Sequence, residues 1–342
     1  MVYEAGRGGS CTGTVAAHAH ARPDRAARTR WLAAAALAIT AALAGPGATA
    51  GESEYKGADL RGFDFSGQNL DGAVLTGANL TGANLRDASL KGADLREAYL
   101  READGRGADF TGANLGSADL TRARLDGAVF TNATLLRATL DSASAAGATM
   151  RGALLAGASL VRANLESAEL TGALLADADL SQAVLRQATL NEAELGARGP
   201  GHPGPVGARM RGADLSGASF EAADLVSVDM SEALLAGTNF RHARLQHANL
   251  TWARAPGAQF NGAELSWARA YGADFTAADF SDADLTSAQL VGADLSGAFA
   301  HRAILEDANL EQTTLQDFRV DGAKMSGVRL GAASGVPGTL RQ

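Results

Sequence analysis

The sequence predicts a solenoid: one elongated body built from short units stacked on copies of themselves. Three observations carry this. From Leu60 to Leu330 nearly every fifth residue is a large apolar one, with no slip of phase. Two residues before each there is usually an alanine, as at Ala58, Ala73, Ala78, Ala83 and Ala88. The residue two after it is often glycine, as at Gly57, Gly62, Gly67, Gly72, Gly77 and Gly82. A period of five matches neither the helical repeat of 3.6 nor the strand repeat of two, and a short fixed period marks a repeat architecture.

The apolar series opens with Leu60, Phe65, Leu70, Leu75, Leu80, Leu85 and Leu90 and closes with Leu305, Leu310, Leu315, Val320, Met325 and Leu330. Outside the interruption at Pro200 and Pro205, only Gly105, Ala145, Ala255, Ala270 and Ala300 lack a large side chain at the central place. The central residue and the preceding alanine are expected inside. The Asp or Asn between them, and the two residues that follow, are expected outside. Glycine in the last place suits a type II turn, which wants φ > 0 there. Where Asp87, Glu97 or Arg122 holds that place, a different turn type is expected.

The run GADLRGFDFSGQNLDGAVLTGANLTGANL and its continuations resemble the pentapeptide repeat family over Gly57 to about Gly331. The resemblance implies an all-β, right-handed quadrilateral β-helix with one pentapeptide per side and 20 residues per coil. It implies about 13 coils at a strand-like rise of about 4.8 Å, roughly 60 Å in all. Contacts in such a body are between neighbours, so stability is nearly a sum over coils.

Residues 20 apart then share a side. Phe220, Phe240, Phe260 and Phe280 form one interior series, and Phe110, Phe130 and Met150 a second, offset from it by ten residues. The segment GARGPGHPGPVGA, Gly196 to Ala208, lies between them and holds Pro200, Pro203 and Pro205. Proline has no N–H for a ladder. Ten residues looped out there would bring both series onto one side, and that loop is the expectation. The chain therefore divides into a leader (1–50), a first repeat part (51–195), a Gly/Pro-rich loop insertion (196–208), a second repeat part (209–331) and a flexible tail (332–342).

In the leader, Arg22, Arg25, Arg28 and Arg30 precede the apolar run Trp31–Gly45, and Ala48-Thr49-Ala50 follows. This is the layout of a secretory signal peptide, and the run is short for a membrane span. The expected location is periplasmic, cell-surface or extracellular, or cytoplasmic if the true start lies downstream. Cys11 is the only cysteine and precedes the apolar run, so a mature chain would have no disulfide and no thiol chemistry. The leader has five arginines against Glu4 and Asp24, a net of +3; taking this from −8 leaves −11 for a mature chain. Such acidity mainly serves solubility.

No catalytic, phosphate-binding or zinc-protease motif is present, so no enzyme activity and no cofactor are expected. His242 and His247 occupy equivalent places on adjacent sides without further ligands, and no metal site is assigned; His202 falls in the loop. The column Asp224, Arg244, Glu264, Asp284 reads as a salt-bridged face and not as a cleft.

Two surface groups stand out. Trp252, Trp267 and Tyr271 fall at outward places beside Arg254 and Arg269, a composition suited to a partner-binding patch. The same rings also suit a packing role, folding over the weak core at Ala255 and Ala270. Asp274, Asp279, Asp282, Asp284 and Asp294 form an acidic stretch with no Lys or Arg among them. The leading function is a non-enzymatic, exported, rod-shaped scaffold for a protein partner of unknown identity. No direct nucleic-acid binding and no membrane span after cleavage are expected. Neither Gly51–Lys56 nor the tail resembles a cap, so end-to-end self-association is a further expectation. The family resemblance adds an alternative, an acidic DNA mimic that binds DNA gyrase or topoisomerase. The leader, the scattered arginines and the short Gly-rich tail count against it.

Overall fold

The computed structural model describes residues 55–196 and 207–338. The leader, the segment 197–206 and the last four residues lie outside the described residues, and with them the signal-peptide reading, Cys11, His202 and the loop itself. Among the described residues no helix is long and apolar enough to cross a membrane.

The repeat body is a solenoid of isolated parallel bridges, one at each outward residue, and each bridge pairs with the residue 20 further on: Asp59 with Asn79, Asn79 with Tyr99, Tyr99 with Asp119. Four five-residue units thus separate one ladder contact from the next. Each unit spends its backbone groups the same way. In the first complete unit the Leu60 N–H donates to the Asn79 carbonyl (2.8 Å), Gly62 donates to Thr81 (3.0 Å), and Phe63 closes the turn onto Leu60 (3.2 Å). The outward residue donates backwards, as Asn79 does to Ala58 (2.8 Å).

This leaves one N–H per unit, that of the residue after the central place. The Asp or Asn two residues earlier accepts it. Thr111 donates to Asp109 (2.9 Å), Thr121 to Asp119 (3.0 Å) and Ser281 to Asp279 (2.9 Å). These Asx turns are why the outward place favours Asp and Asn. Where that place holds Ser, a carboxylate from the preceding coil takes over: Asp141 accepts from both Val161 N–H and Ser159 Oγ.

The turn expectation needs a correction. Asp87, Glu97 and Arg122 have φ of 54°, 58° and 58°, in the same left-handed region as Gly77 at 65°. They do not adopt another turn type. The ladder bond before the turn and the closing bond after it are both kept, as in Asp87 to Arg106 (3.0 Å) and Ala88 to Leu85 (3.1 Å), and together they fix the backbone whatever the side chain. The strain of a left-handed non-glycine residue, about 1–2 kcal/mol, is borne locally.

The interior is built from the central residues and the alanines, nearly all fully buried. Two of the alanine places hold threonine instead, and both hydroxyls are satisfied by carbonyls: Thr238 on Leu215 (2.9 Å) and Thr313 on Leu310 (2.7 Å). Small central residues are offset by large neighbours. Gly105, Ala145, Ala255 and Ala270 are each followed five residues later by Phe110, Met150, Phe260 or Phe275. A Cβ on Gly105 would lie 3.1 Å from Leu125 Cδ2, so that space is already taken.

The ladder also carries the register across the interruption. Asp179 pairs with Arg209 and Glu194 with Asp224, an offset of 30 in place of 20, and Ala208 N–H closes onto Leu195 (2.8 Å) as in an ordinary turn. The Phe110 and Phe220 series therefore fall on one side, joined through Leu190 N–H to Ser219 (2.6 Å). The rings stack along it: Phe110 on Phe130 at 4.8 Å, Phe220 on Phe240 at 5.3 Å, and Phe260 on Phe280 at 4.8 Å.

Candidate functional site

The face between two turn columns holds the aromatic group. One column runs Ser227, His247, Trp267, Ser287; the next runs Trp252, Gly272, Gly292. The outward residues between them are Asn249, Arg269, Gln289 and Asn309, linked by ladder bridges. Trp252 and Trp267 both sit at left-handed turn places, with φ of 60° and 56°. They are 63% and 53% exposed, and Tyr271 is 39% exposed.

Each indole meets a neighbouring coil. A Cβ on Gly272 would fall 2.2 Å from Trp252 Cζ3, so the ring covers that glycine on the next coil. Trp267 reaches back and stacks on His247, centroids 5.5 Å apart and planes within 14°. Both rings therefore span the same pair of coils, one at each edge of one face.

Phe275 stands one ladder step from Ala255, and its edge meets Phe260 at 5.8 Å and Phe280 at 5.3 Å. Ala255 and Ala270 are both buried. Phe275 is the neighbour of Ala255 in its column, while the column of Ala270 holds Leu250 and Leu290.

Arg269 lies on the face and Arg254 on the adjacent one, where it bridges Asp274 through the backbone. Both are exposed. Neither has a carboxylate within ion-pairing distance among the described residues, unlike Arg244 on Asp224 (2.9 Å) or Arg302 on Asp282 (2.6 Å). In the column Asp224, Arg244, Glu264, Asp284, only the Arg244–Asp224 pair forms; Glu264 accepts from the Gln246 amide.

The acidic stretch does not form one patch. Asp274 and Asp294 share one face, while Asp279 and Asp284 lie on two others. These four accept turn N–H groups from Thr276, Ser281, Thr286 and Ser296. Asp282 accepts from Nε and Nη2 of Arg302, which lowers its carboxyl below the usual range. His242 lies against Gly262, a turn away from His247, and among the described residues no group of side chains could hold a metal ion.

One feature escapes sequence reading. Outward places also carry Leu154 and Leu174, ladder partners of each other, beside Leu136, Ala156 and Ala176. They line a shallow cavity of about 300 Å³ with Asp177 and Glu194 at its edge. The signal was present: a leucine in the Asp/Asn place twice in succession at a spacing of 20.

The profile of the pentapeptide repeats matches residues 56–196 and 206–297, more than half of the chain. Among solved structures the chain is similar to HetL of the cyanobacterium Nostoc sp. strain PCC 7120, with 28% identity over 81% of this chain and 93% of that one, TM-score 0.21. It is similar to a pentapeptide repeat protein of the Arabidopsis thaliana thylakoid lumen, with 36% identity over 32% of this chain and 72% of that one, TM-score 0.23. A plasmid-mediated fluoroquinolone resistance protein, QnrB1, matches at 18% identity over 60% and 86%, TM-score 0.33. No curated protein matches the chain. Superpositions this loose carry no argument about function, and the assignment rests on the repeat itself. The chain belongs to the pentapeptide repeat family.

Proposed function

We propose that this chain is a non-enzymatic, exported scaffold: a right-handed, four-sided rod of about 13 coils that presents a long surface to a protein partner. The single observation that carries this reading is the pair of exposed indoles beside Arg254 and Arg269, which have no ion pair among the described residues. Tryptophan, tyrosine and arginine are the residues that dominate binding energy at interfaces. The leader supports export, and the ladder offers a long regular surface. The DNA-mimic reading has less support, because its acidic residues are spread over three faces and tied up in turns.

The test is capture of a partner from the extracytoplasmic fraction by the immobilised protein, compared with Trp252→Ala/Trp267→Ala. A partner retained by the wild type and lost by the variant supports the reading. Equal capture by both moves the interface elsewhere on the rod.

A further inference from the structure

We infer that a second copy of this chain docks antiparallel against the leucine-lined groove, with Leu154 on the two-fold axis. This contact is separate from the Trp252 surface and its protein partner. The ladder pattern breaks once. Where an apolar or aromatic residue takes an outward place, its ladder partners are otherwise polar: Tyr99 bridges Asn79 and Asp119, and Leu234 bridges Asp214 and Arg254. Leu154 with Leu174 is the one bridge between two apolar residues among the described residues. The turn column beside it runs Leu136, Ala156, Ala176, apolar over three successive coils, and Leu136 is 41% exposed. These leucines add nothing to the interior, which Leu135, Leu155 and Leu175 already fill. A contiguous apolar strip on the surface marks an interaction site.

Symmetry identifies the occupant. An isologous contact uses one surface twice, so each group on one side of the axis meets its complement on the other. The coil of Leu154, Ala156 and Gly157 is the centre. One coil to either side in the turn columns stand Leu136 and Ala176, a large residue and a small one, and beside them Arg137 and Asp177. Two coils to either side along the ladder stand Asn114 and Glu194. In an antiparallel pair Leu136 of one copy meets Ala176 of the other, Arg137 meets Asp177, and Asn114 meets Glu194, each contact made twice. Ala156 and Gly157 at the centre are small and let the two surfaces approach. The strip from Asn114 to Glu194 is about 20 Å long, four coil spacings.

The charges fix the direction. Arg137, Asp177 and Glu194 have no ion pair among the described residues, unlike Arg151 on Glu169 (2.5 Å) or Arg186 on Glu166 (3.1 Å) nearby. Asn114 accepts the Gly116 N–H through its carbonyl oxygen (3.0 Å), which leaves its amide NH2 to donate. A parallel pair would set Arg137 on Arg137, Asp177 on Asp177 and Glu194 on Glu194, and like charges placed together oppose association. An unrelated protein needs only an apolar groove. Complements placed at equal distances on both sides of one coil are what the chain itself requires.

The experiment is sedimentation velocity of the purified full-length chain over a range of concentrations. The expected result is a monomer–dimer equilibrium. Arg137→Asp and Asp177→Arg should each weaken the dimer about tenfold or more, and the two together should restore it, because the pair is then reversed but intact. Both exchanges use residue types that this left-handed turn place already holds, at Asp87 and Arg122, and an unchanged far-UV CD spectrum checks the fold. Leu154→Arg, which would stand against itself across the axis, should abolish the dimer. A monomer at every concentration, a dimer indifferent to the single reversals or to Leu154→Arg, or a natively folded double variant that stays monomeric overturns the inference. Retention of a different protein by the monomeric chain, lost in Leu154→Arg, also overturns it. Each of these outcomes leaves standing the scaffold reading, which is tested at Trp252 and Trp267.

Discussion

Deleting residues 197–206 should leave the coil intact and stabilise it. The ladder offset rises from 20 to 30 across this segment and returns to 20 beyond it, so these ten residues add no side to the solenoid. Joining Gly196 to Gly207 gives the turn Leu195-Gly196-Gly207-Ala208, and the bond that closes it, Ala208 N–H to Leu195, is already 2.8 Å long. Both new turn residues lack a side chain, which the site requires: a Cβ on Gly207 would sit 2.8 Å from the Val226 carbonyl. Closing a ten-residue loop costs about 2 kcal/mol of chain entropy, and the deletion removes that cost. Urea unfolding followed by CD should show a higher midpoint with unchanged slope, and thermal unfolding a rise of about 4 °C. A second deletion, 192–206, also makes a good local turn but removes one side as well. It displaces the Phe220 series from the Phe110 series and should be less stable than the wild type. Destabilisation by the ten-residue deletion, or equal behaviour of the two, would refute the register argument.

The stacked column should be the costliest place to create a cavity. Phe240→Ala, between two stacked rings at 5.3 and 5.0 Å, should lose about 3–5 kcal/mol in urea unfolding. Turn strain can be isolated at Gly77, where a side chain would meet nothing within 4 Å and φ is 65°. Gly77→Val should cost about 2 kcal/mol and Gly77→Asn less than about 1, measured the same way. Acid should weaken the fold between about pH 4 and pH 2. The hydrogen-bonded guanidinium of Arg96 holds Asp94 at about 2, against 3.8 for a free carboxyl, with Thr76 and a backbone N–H assisting and burial opposing. A folded-state value below the unfolded one means the contribution is complete above about pH 4 and lost as pH falls through 2. Since Arg96 is half exposed, that contribution is about 1 kcal/mol. Asp94→Asn should flatten the acid limb by that amount in pH-dependent unfolding.

The repeat was legible because each unit repeats the same inward and outward choices, and misplacing one central residue would put a leucine in water. The shared side of Phe110 and Phe220 was also legible, from their offset and the prolines between them. The turn at Asp87, Glu97 and Arg122 was not. Local preference argues against left-handed non-glycine residues, and only the ladder bonds on either side, invisible in one unit, override it. The role of the outward Asp and Asn was missed for a related reason. A solvated carboxylate and a turn-capping one look alike until the unpaired N–H is counted. Trp252, Trp267 and Tyr271 could be placed outside from the five-residue phase. The contacts of the two indoles, Trp252 with Gly272 and Trp267 with His247, are made 20 residues away and follow only from the register. The leucine-lined groove at Leu154 and Leu174 was readable as a break in the Asp/Asn pattern, but its depth depends on Leu136 and Ala156 at the adjoining turn.

The central claim is that this is an exported scaffold, and the most direct test is cell fractionation of the native protein with N-terminal sequencing. The account predicts a mature chain beginning near Gly51 outside the cytoplasm. A chain that retains its leader, or begins downstream of it, and stays in the cytosol would contradict the claim and return the acidic gyrase-binding alternative to first place.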